Sequence, residues 1–418
     1  MSPENSGAEV ISLGCRLNIA ESERIRTLLG PARDLVVVNS CAVTAEAVRQ
    51  TRQAIRRARR ARPDARLLVT GCAADIERDQ LAAMPEVDGL VPNSVKLDAR
   101  RYNVRTDVSP RAGGDLILTG AALDRRRSPS SRGLTGSRTR AFIAVQNGCD
   151  HACTFCVIPQ GRGPSRSLTV AQVLREVERH LEQGAPEAVL TGVDVTSWGH
   201  DLPGSPRLGA LARAVLDAFP ELPRLRMSSL DGIEIDAELF ELFAGEARVM
   251  PHLHLSLQHG HDLVLKRMKR RHSRADALAL VERLRERRPT IAVGADLIAG
   301  FPTEDEEMHE ANLAIVRELG VVHGHVFPYS PRPRTPAARM PQVDKATIGR
   351  RAAELRETVA RARNAWLGTL VGTPQRVLAE ADGTGHAENF ARVAVPPGTA
   401  PRTIVTVTPA RLKEGLLT

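Results

Sequence analysis

Asn147-Gly148-Cys149-Asp150-His151-Ala152-Cys153-Thr154-Phe155-Cys156 places three cysteines in one short stretch with the spacing C-x3-C-x2-C. The run 142–146 just before it reads as a strand, so the cysteines fall on the loop that follows. Three thiolates on one loop suit an iron–sulfur cluster, and a four-iron cluster with three cysteine ligands keeps one iron open to a substrate or cofactor. The alternative is zinc, which usually takes four protein ligands, the fourth being His151 or a distant residue.

Downstream of this loop, apolar runs at 187–191, 225–229, 252–257, 291–298 and 322–327 alternate with helical periodicity near 169–183, 207–218, 236–244, 273–287 and 305–319. Six strands with intervening helices indicate a barrel-like parallel sheet, short of the eight units of a full barrel. Residues 343–367 read as one more helix. Beyond it Val377-Leu378, Ala391-Arg392-Val393-Ala394-Val395 and Thr403-Ile404-Val405-Thr406-Val407, divided by Gly and Pro, read as a small β-barrel. Upstream, Val10-Ile11-Ser12-Leu13, Leu35-Val36-Val37-Val38 and Leu67-Leu68-Val69 are strand candidates, with helical segments at 20–29 and 43–61 between them. Cys15, Cys41 and Cys72 each lie just past the end of one of these strands, where ligands gather in open α/β sheets. The stretch DRRRSPSSRGLTGSRTR at 124–140 has no apolar face to bury and reads as a mobile linker. The expected organisation is therefore a doubly wound parallel α/β domain at 1–122, a linker at 123–140, a partial (β/α)6 barrel at 141–367 and a small all-β domain at 368–418.

The length of 418 residues suits two or three domains. With 58 Lys plus Arg against 49 Asp plus Glu, the net charge is +9, which favours an anionic partner such as nucleic acid. Aromatic residues are only 3%, so stacking on an aromatic platform is not the expected mode of RNA binding. Arg49, Arg52, Arg56, Arg57, Arg59, Arg60 and Arg62 crowd one helix and are candidates for a tRNA groove. There is no apolar run long enough for a membrane span, and MSPENSGAEV lacks the build of a signal peptide, so a cytoplasmic protein without structural disulfides is expected. No H-E-x-x-H or G-x-x-x-x-G-K-[ST] pattern occurs, and His386-Ala387-Glu388 is not followed by P-C-x-x-C, which leaves zinc proteolysis, phosphate-loop hydrolysis and deamination without a motif.

The C-x3-C-x2-C loop after the first strand of a partial barrel resembles the radical S-adenosylmethionine (SAM) superfamily, and GCDHACTFCVIPQGRGPSRS is similar to its methylthiotransferases. GCRLNIAESE at 14–23, VVNSCAVTAEA at 37–47 and VTGCAADIERD at 69–79 resemble the three cysteine boxes of their N-terminal domain. The C-terminal segment, with GHAENFARV at 385–393, resembles a TRAM domain, a small RNA-binding module. Within the family the chain most resembles the branch acting on N6-threonylcarbamoyladenosine at tRNA position 37. The isopentenyladenosine branch, a ribosomal-protein aspartate branch and a non-catalytic zinc-containing RNA-binding protein are the alternatives.

The resemblance implies a radical SAM cluster on Cys149, Cys153 and Cys156, an auxiliary four-iron cluster on Cys15, Cys41 and Cys72, and conversion of adenine C2–H to C2–SCH3. Hydrogen abstraction would use one SAM and methylation another. It also implies the tRNA anticodon loop as partner, an electron donor such as flavodoxin or ferredoxin, and a sulfur donor. The expected SAM contacts are Gly192 after the second barrel strand, Ser256 and Gln258 on the fourth, Arg270 for the SAM carboxylate and Asp296 for the ribose hydroxyls. Lys266, Arg267, Lys269, Arg271 and Arg274 around Arg270 are expected to be mostly solvated or near RNA.

Overall fold

β-Branched runs buried on both faces build the N-terminal sheet. In chain order the elements are β1 (Glu9–Ser12), α1 (Arg16–Leu29), β2 (Leu35–Ser40), α2 (Ala45–Ala61), β3 (Arg66–Gly71), α3 (Cys72–Ile76), α4 (Arg78–Ala82) and β4 (Gly89–Leu90). All pairs are parallel, in the order β1-β2-β3-β4. Because alternate strand residues point to opposite faces, Val36, Val38, Leu67 and Val69 pack with Val48 and Ile55 of α2, while Val37 and Leu68 pack with Ile25 and Leu29 of α1. Helices thus cover both faces, as in a doubly wound domain, although the strand order runs without a reversal. The computed structural model describes residues 8–30, 34–102 and 138–418, so most of the proposed linker, 123–137, lies outside the described residues.

The second unit contains β5 (Ala141–Ala144), β6 (Gln146–Asn147), α5 (Ile158–Arg162), β7 (Arg166–Ser167), α6 (Val170–Glu182), β8 (Glu187–Thr191), α7 (Leu208–Ala218) and β9 (Arg224–Met227). It continues with α8 (Ala237–Gly245), β10 (His252–Gln258), α9 (Asp262–Arg267), α10 (Arg274–Arg287), β11 (Ala292–Ala299), α11 (Glu306–Glu318), β12 (Val321–Pro328) and α12 (Lys345–Thr369). Reciprocal capping boxes at Thr169–Gln172 and Ser273–Asp276 start α6 and α10. The six long strands form two parallel sheets of three, β5-β8-β9 and β10-β11-β12, joined through a bridge between Leu230 and Leu255. Ile143, Leu190, Leu225, Leu253, Leu255 and Leu297 face the helices in the main core. The alternate positions face inward: Phe142, Glu187, Val189, Arg226, His254 and Asp296. α1 of the first unit lies on this inner face, Ile19 and Ala20 packing on Phe142, Ala144 and Val189.

The C-terminal unit is a six-stranded sheet of β13 (Gln375–Ala379), β14 (Thr384–Ala387), β15 (Arg392–Ala394), β16 (Ile404–Val407), β17 (Leu412–Lys413) and β18 (Leu416–Leu417), ordered β16-β13-β14-β15-β18-β17. Its own core of Val377, Ala379, Ala387, Val393 and Leu417 closes over Leu367 of α12. The unit is docked on the barrel: Arg224 donates to the carbonyls of Arg376 and His386, and Arg226 to those of Ala387 and Glu388. Phe390 stacks on His252, with ring centroids 4.9 Å apart. No helix among the described residues is long and apolar enough to cross a membrane.

Candidate cluster and SAM site

Two glycines let the N-terminal strand ends crowd together. Gly14 has φ +94°, and a Cβ there would fall 2.6 Å from Cys41 Cβ and 2.9 Å from its Sγ. Gly71 has φ +89°, and a Cβ there would fall 2.4 Å from the Ser40 carbonyl oxygen. Any other residue would push the strand ends apart. Cys15 immediately precedes α1, Cys41 follows β2 and Cys72 opens α3, so the three thiols meet at one end of the sheet. Burial pushes the Cys41 thiol up to about 11, and the neighbouring Cys15 and Cys72 add to it.

A buried polar network behind the thiols joins the first unit to the second. Asn18 donates to the carbonyls of Leu13 (2.6 Å) and Ser40 (3.0 Å), tying two strand ends together. Arg162 of α5 donates to Asn18 Oδ1 at 2.5 Å and to Glu21 at 2.9 Å, and Lys96 reaches Glu21 at 2.5 Å. Burial opposes charge on Glu21, but the two cations prevail and hold its carboxyl below the usual range. A second buried pair, Arg332 to Glu77 at 2.6 Å, fastens the other side of α3.

The barrel trio sits directly opposite. α5 begins two residues after Cys156 and packs on α3, where a Cβ on Gly161 would come within 3.3 Å of the Cys72 carbonyl oxygen. Cys72 is close enough to act on Cys156, so the two trios face each other across this helix contact. Burial pushes both Cys149 and Cys156 up to about 12, with Asp194 a further cause for the first and Cys153 for the second. Thiols that burial keeps protonated gain most from a cationic metal centre that takes the thiolate form. Three cysteines on each side, with no fourth among the described residues, fit a cluster with an open iron at each. His151, the alternative fourth ligand for zinc, is turned to Asp194 at 2.7 Å.

Of the remaining expected residues, Gly192 and Arg270 are tied to the cysteine loop, and Ser256 is joined to it through Arg270. At Gly192 a Cβ would fall 2.8 Å from Gln146 Oε1, and that oxygen accepts from the N–H groups of Val193 (3.0 Å) and Asp194 (2.9 Å). Gln146 also donates to the Gly148 carbonyl at 2.7 Å, so it clamps the loop after β8 to the cysteine loop. Arg270 donates to the Ser256 carbonyl (2.9 Å), pairs with Asp231 (2.9 Å) and lies 3.7 Å from Cys153 Sγ. Gln258 has φ +70° at a register shift that ends the regular pairing of β10. Asp296 accepts from His254 (3.1 Å) and His325 (3.0 Å) on the two flanking strands. Burial disfavours its charge, but these two bonds hold it well below the carboxylate range.

In the basic run Lys266, Lys269 and Arg271 are exposed, as expected of solvated charges, while Arg267 and Arg274 are half-buried and engaged. Arg267 reaches the Thr303 carbonyl, Arg271 pairs with Glu234 at 2.7 Å, and Arg274 reaches the Gly260 carbonyl. The arginine-rich helix α2 is also largely paired. Glu46, Gln80, Glu86, Asp88 and Glu9 take Arg49, Arg52, Arg56, Arg59 and Arg62, which leaves Arg57 and Arg60 unpartnered among the described residues. Sequence reasoning missed Asn18, Glu21, Lys96, Gln146 and Arg162. The one available signal was polar residues at i and i+3 on the face of α1 that starts at Cys15.

Residues 143–314 match the family model of the radical SAM superfamily, and residues 8–92 match that of uncharacterized protein family UPF0004. The chain is 44% identical to a threonylcarbamoyladenosine tRNA methylthiotransferase of Rickettsia prowazekii (strain Madrid E), over 92% of this chain and 90% of that protein. It is 33% identical to a tRNA-2-methylthio-N(6)-dimethylallyladenosine synthase of Cereibacter sphaeroides (strain ATCC 17025 / ATH 2.4.3), over 88% of this chain and 86% of that one. Among solved structures, a radical S-adenosylmethionine methyltransferase from Kitasatospora setae matches with TM-score 0.51 and 19% identity, over 76% of this chain and 66% of that one, a likeness of fold.

Proposed function

The chain belongs to the radical SAM methylthiotransferase family, and from that premise we propose that it converts N6-threonylcarbamoyladenosine at position 37 of tRNA to its 2-methylthio derivative. Cys149, Cys153 and Cys156 would hold the cluster that binds SAM, and Cys15, Cys41 and Cys72 a second, auxiliary cluster. When bound, these cofactors supply the radical that removes hydrogen from adenine C2, a C–H bond no side chain deprotonates near neutral pH, and the sulfur and methyl that replace it.

The chain's own residues hold these groups in register. Gln146 fixes the loop of Gly192 against the cysteine loop, bringing backbone groups to the side where the SAM amine would lie. Arg270, held by Asp231 and by the Ser256 carbonyl beside Cys153, presents its guanidinium where the SAM carboxylate would lie. Gln258 and Asp296 complete the SAM-facing wall in this reading. The Asn18–Glu21–Lys96–Arg162 network keeps the two trios at a set separation, which a reaction shared between two clusters needs.

The C-terminal sheet acts as a TRAM-like grip on the anticodon arm, an electron donor of the flavodoxin or ferredoxin class reduces the barrel cluster, a sulfur donor recharges the other, and the protein works in the cytoplasm. The observation that carries the reading is the meeting of the two cysteine trios across α3 and α5. The test is mass spectrometry of tRNA nucleosides from cells lacking their own enzyme. The chain should restore the 2-methylthio form of threonylcarbamoyladenosine. Appearance of 2-methylthio-isopentenyladenosine alone, or of a modified ribosomal-protein aspartate with no change in tRNA, would reject it.

A further inference from the structure

α1 reaches across from the first unit to the inner face of the barrel, with Ile19 and Ala20 on Phe142 and Val189. Residues three and four apart share a helix face, so Arg16, one turn earlier, faces the same interior. It is half-buried there, in the field of Arg140, Asp296, Arg226 and Glu187.

Every other charge in this interior is engaged. Arg226 pairs with Glu187 at 2.9 Å and lies over the Phe390 ring at 5.1 Å. Arg140 pairs with Glu380 at 3.1 Å and lies over the same ring at 5.2 Å. Asp296 is taken by His254 and His325. Arg16 alone has neither a hydrogen bond nor an ion pair among the described residues, in surroundings where the charges of Arg140 and Arg226 are opposed by those of Asp296 and Glu187. A half-buried guanidinium without a partner is a fork waiting for an anion.

Resting on the methylthiotransferase reading, we propose that Arg16 is the specificity-determining residue of the site and binds the carboxylate of the threonylcarbamoyl group. That carboxylate is the one anionic group the modified base carries into the barrel, and an isopentenyl group lacks it. A substrate without the carboxylate leaves Arg16 unpaired at the cost of its desolvation, which is how a buried polar group rejects an analogue. A tRNA phosphate is the competing ligand, but α1 turns Arg16 toward the barrel wall and away from the outer surface.

The test compares two tRNAs: one with threonylcarbamoyladenosine at position 37, and one with its carboxylate converted to the neutral carboxamide. All phosphates are the same in both. The reconstituted wild-type enzyme should favour the acid by about 100-fold in kcat/KM. In Arg16→Gln that preference should collapse to near unity through loss on the acid alone, with iron and sulfide content unchanged. Arg16→Lys, which keeps the charge but not the fork, should retain part of the preference. Equal wild-type turnover of acid and amide would overturn the assignment without recourse to any variant. So would an Arg16→Gln enzyme that loses rate equally on both, the mark of a phosphate contact. Failure of the wild-type enzyme on both tRNAs would instead reject the functional reading beneath it.

Discussion

Cys149, Cys153 and Cys156 lie on one loop of eight residues, whereas Cys15, Cys41 and Cys72 come from three strand ends spread over 58 residues. The loop trio needs only a local turn, held by Gln146 and by the Asp231–Arg270 pair. The spread trio needs a whole parallel sheet, two glycines with positive φ, and a buried charge network to bring its members together. A site built from a local turn tolerates movement elsewhere, while one built from distant strand ends depends on the packing of its domain.

The largest effects separate the trios chemically. Cys149→Ala should abolish SAM cleavage and leave about half of the roughly eight irons of a doubly loaded enzyme. Cys15→Ala should lose the methylthio product yet still release 5′-deoxyadenosine. Anaerobic iron and sulfide analysis with product chromatography reads both, and zinc without acid-labile sulfide would contradict the scheme.

Next come the supports. Glu21→Gln leaves Lys96 and Arg162 buried with their shared carboxylate gone, and should cost about 3–5 kcal/mol in urea unfolding. It should also impair the spread trio's cluster before the loop trio's. Equal loss of both would break the comparison drawn above.

Asp231 supports the loop trio, and its contribution depends on pH. Burial disfavours its charge, but His272, Arg270 and Arg271 bring its pKa down to about 2. A carboxylate lowered on folding stabilises fully above its unfolded pKa and is lost as pH falls through the folded value. The wild type should therefore lose about 2 kcal/mol between roughly pH 4 and pH 2 from this group. Asp231→Asn should flatten that part of the curve, as read from urea midpoints; an unchanged curve would exclude the group.

The smallest effect concerns the surface. Arg411 and Lys413 in the C-terminal unit make no ion pair among the described residues, so Arg411→Glu with Lys413→Glu should weaken tRNA binding only several-fold and lower the salt slope by about two. Filter binding at several salt concentrations measures this, and an unchanged slope would remove the C-terminal sheet from the RNA interface. These substitutions are cleaner than cutting the chain at 368, which would uncover Arg224, Arg226 and His252.

Strand and helix positions were legible wherever apolar periodicity was strong. The expected strands at 187–191 and 291–298 correspond to β8 (Glu187–Thr191) and β11 (Ala292–Ala299), and the helix expected at 343–367 to α12 (Lys345–Thr369). β14 escaped notice because Thr384-Gly385-His386-Ala387 has neither alternation nor a β-branched run; its pairing with β13 and β15 makes it a strand. In the basic run at 266–274 the exposed Lys266, Lys269 and Arg271 follow expectation, while the engagement of Arg267 and Arg274 was not legible for a related reason. Charge count says nothing about which guanidiniums have carbonyls and carboxylates within reach.

By itself, the amino-acid order determined the cysteine loop, the alternation of strands and helices, and the presence of three thiols just past three strand ends. Those are properties of near neighbours, set by side-chain period, backbone freedom and spacing. The facing of the two trios, the burial of Lys96 against Glu21 and the placing of Arg16 on the inner barrel wall were decided by tertiary structure alone. Each joins residues from different elements, and an ion pair or an open guanidinium acquires its meaning only when packing removes water and sets what stands beside it.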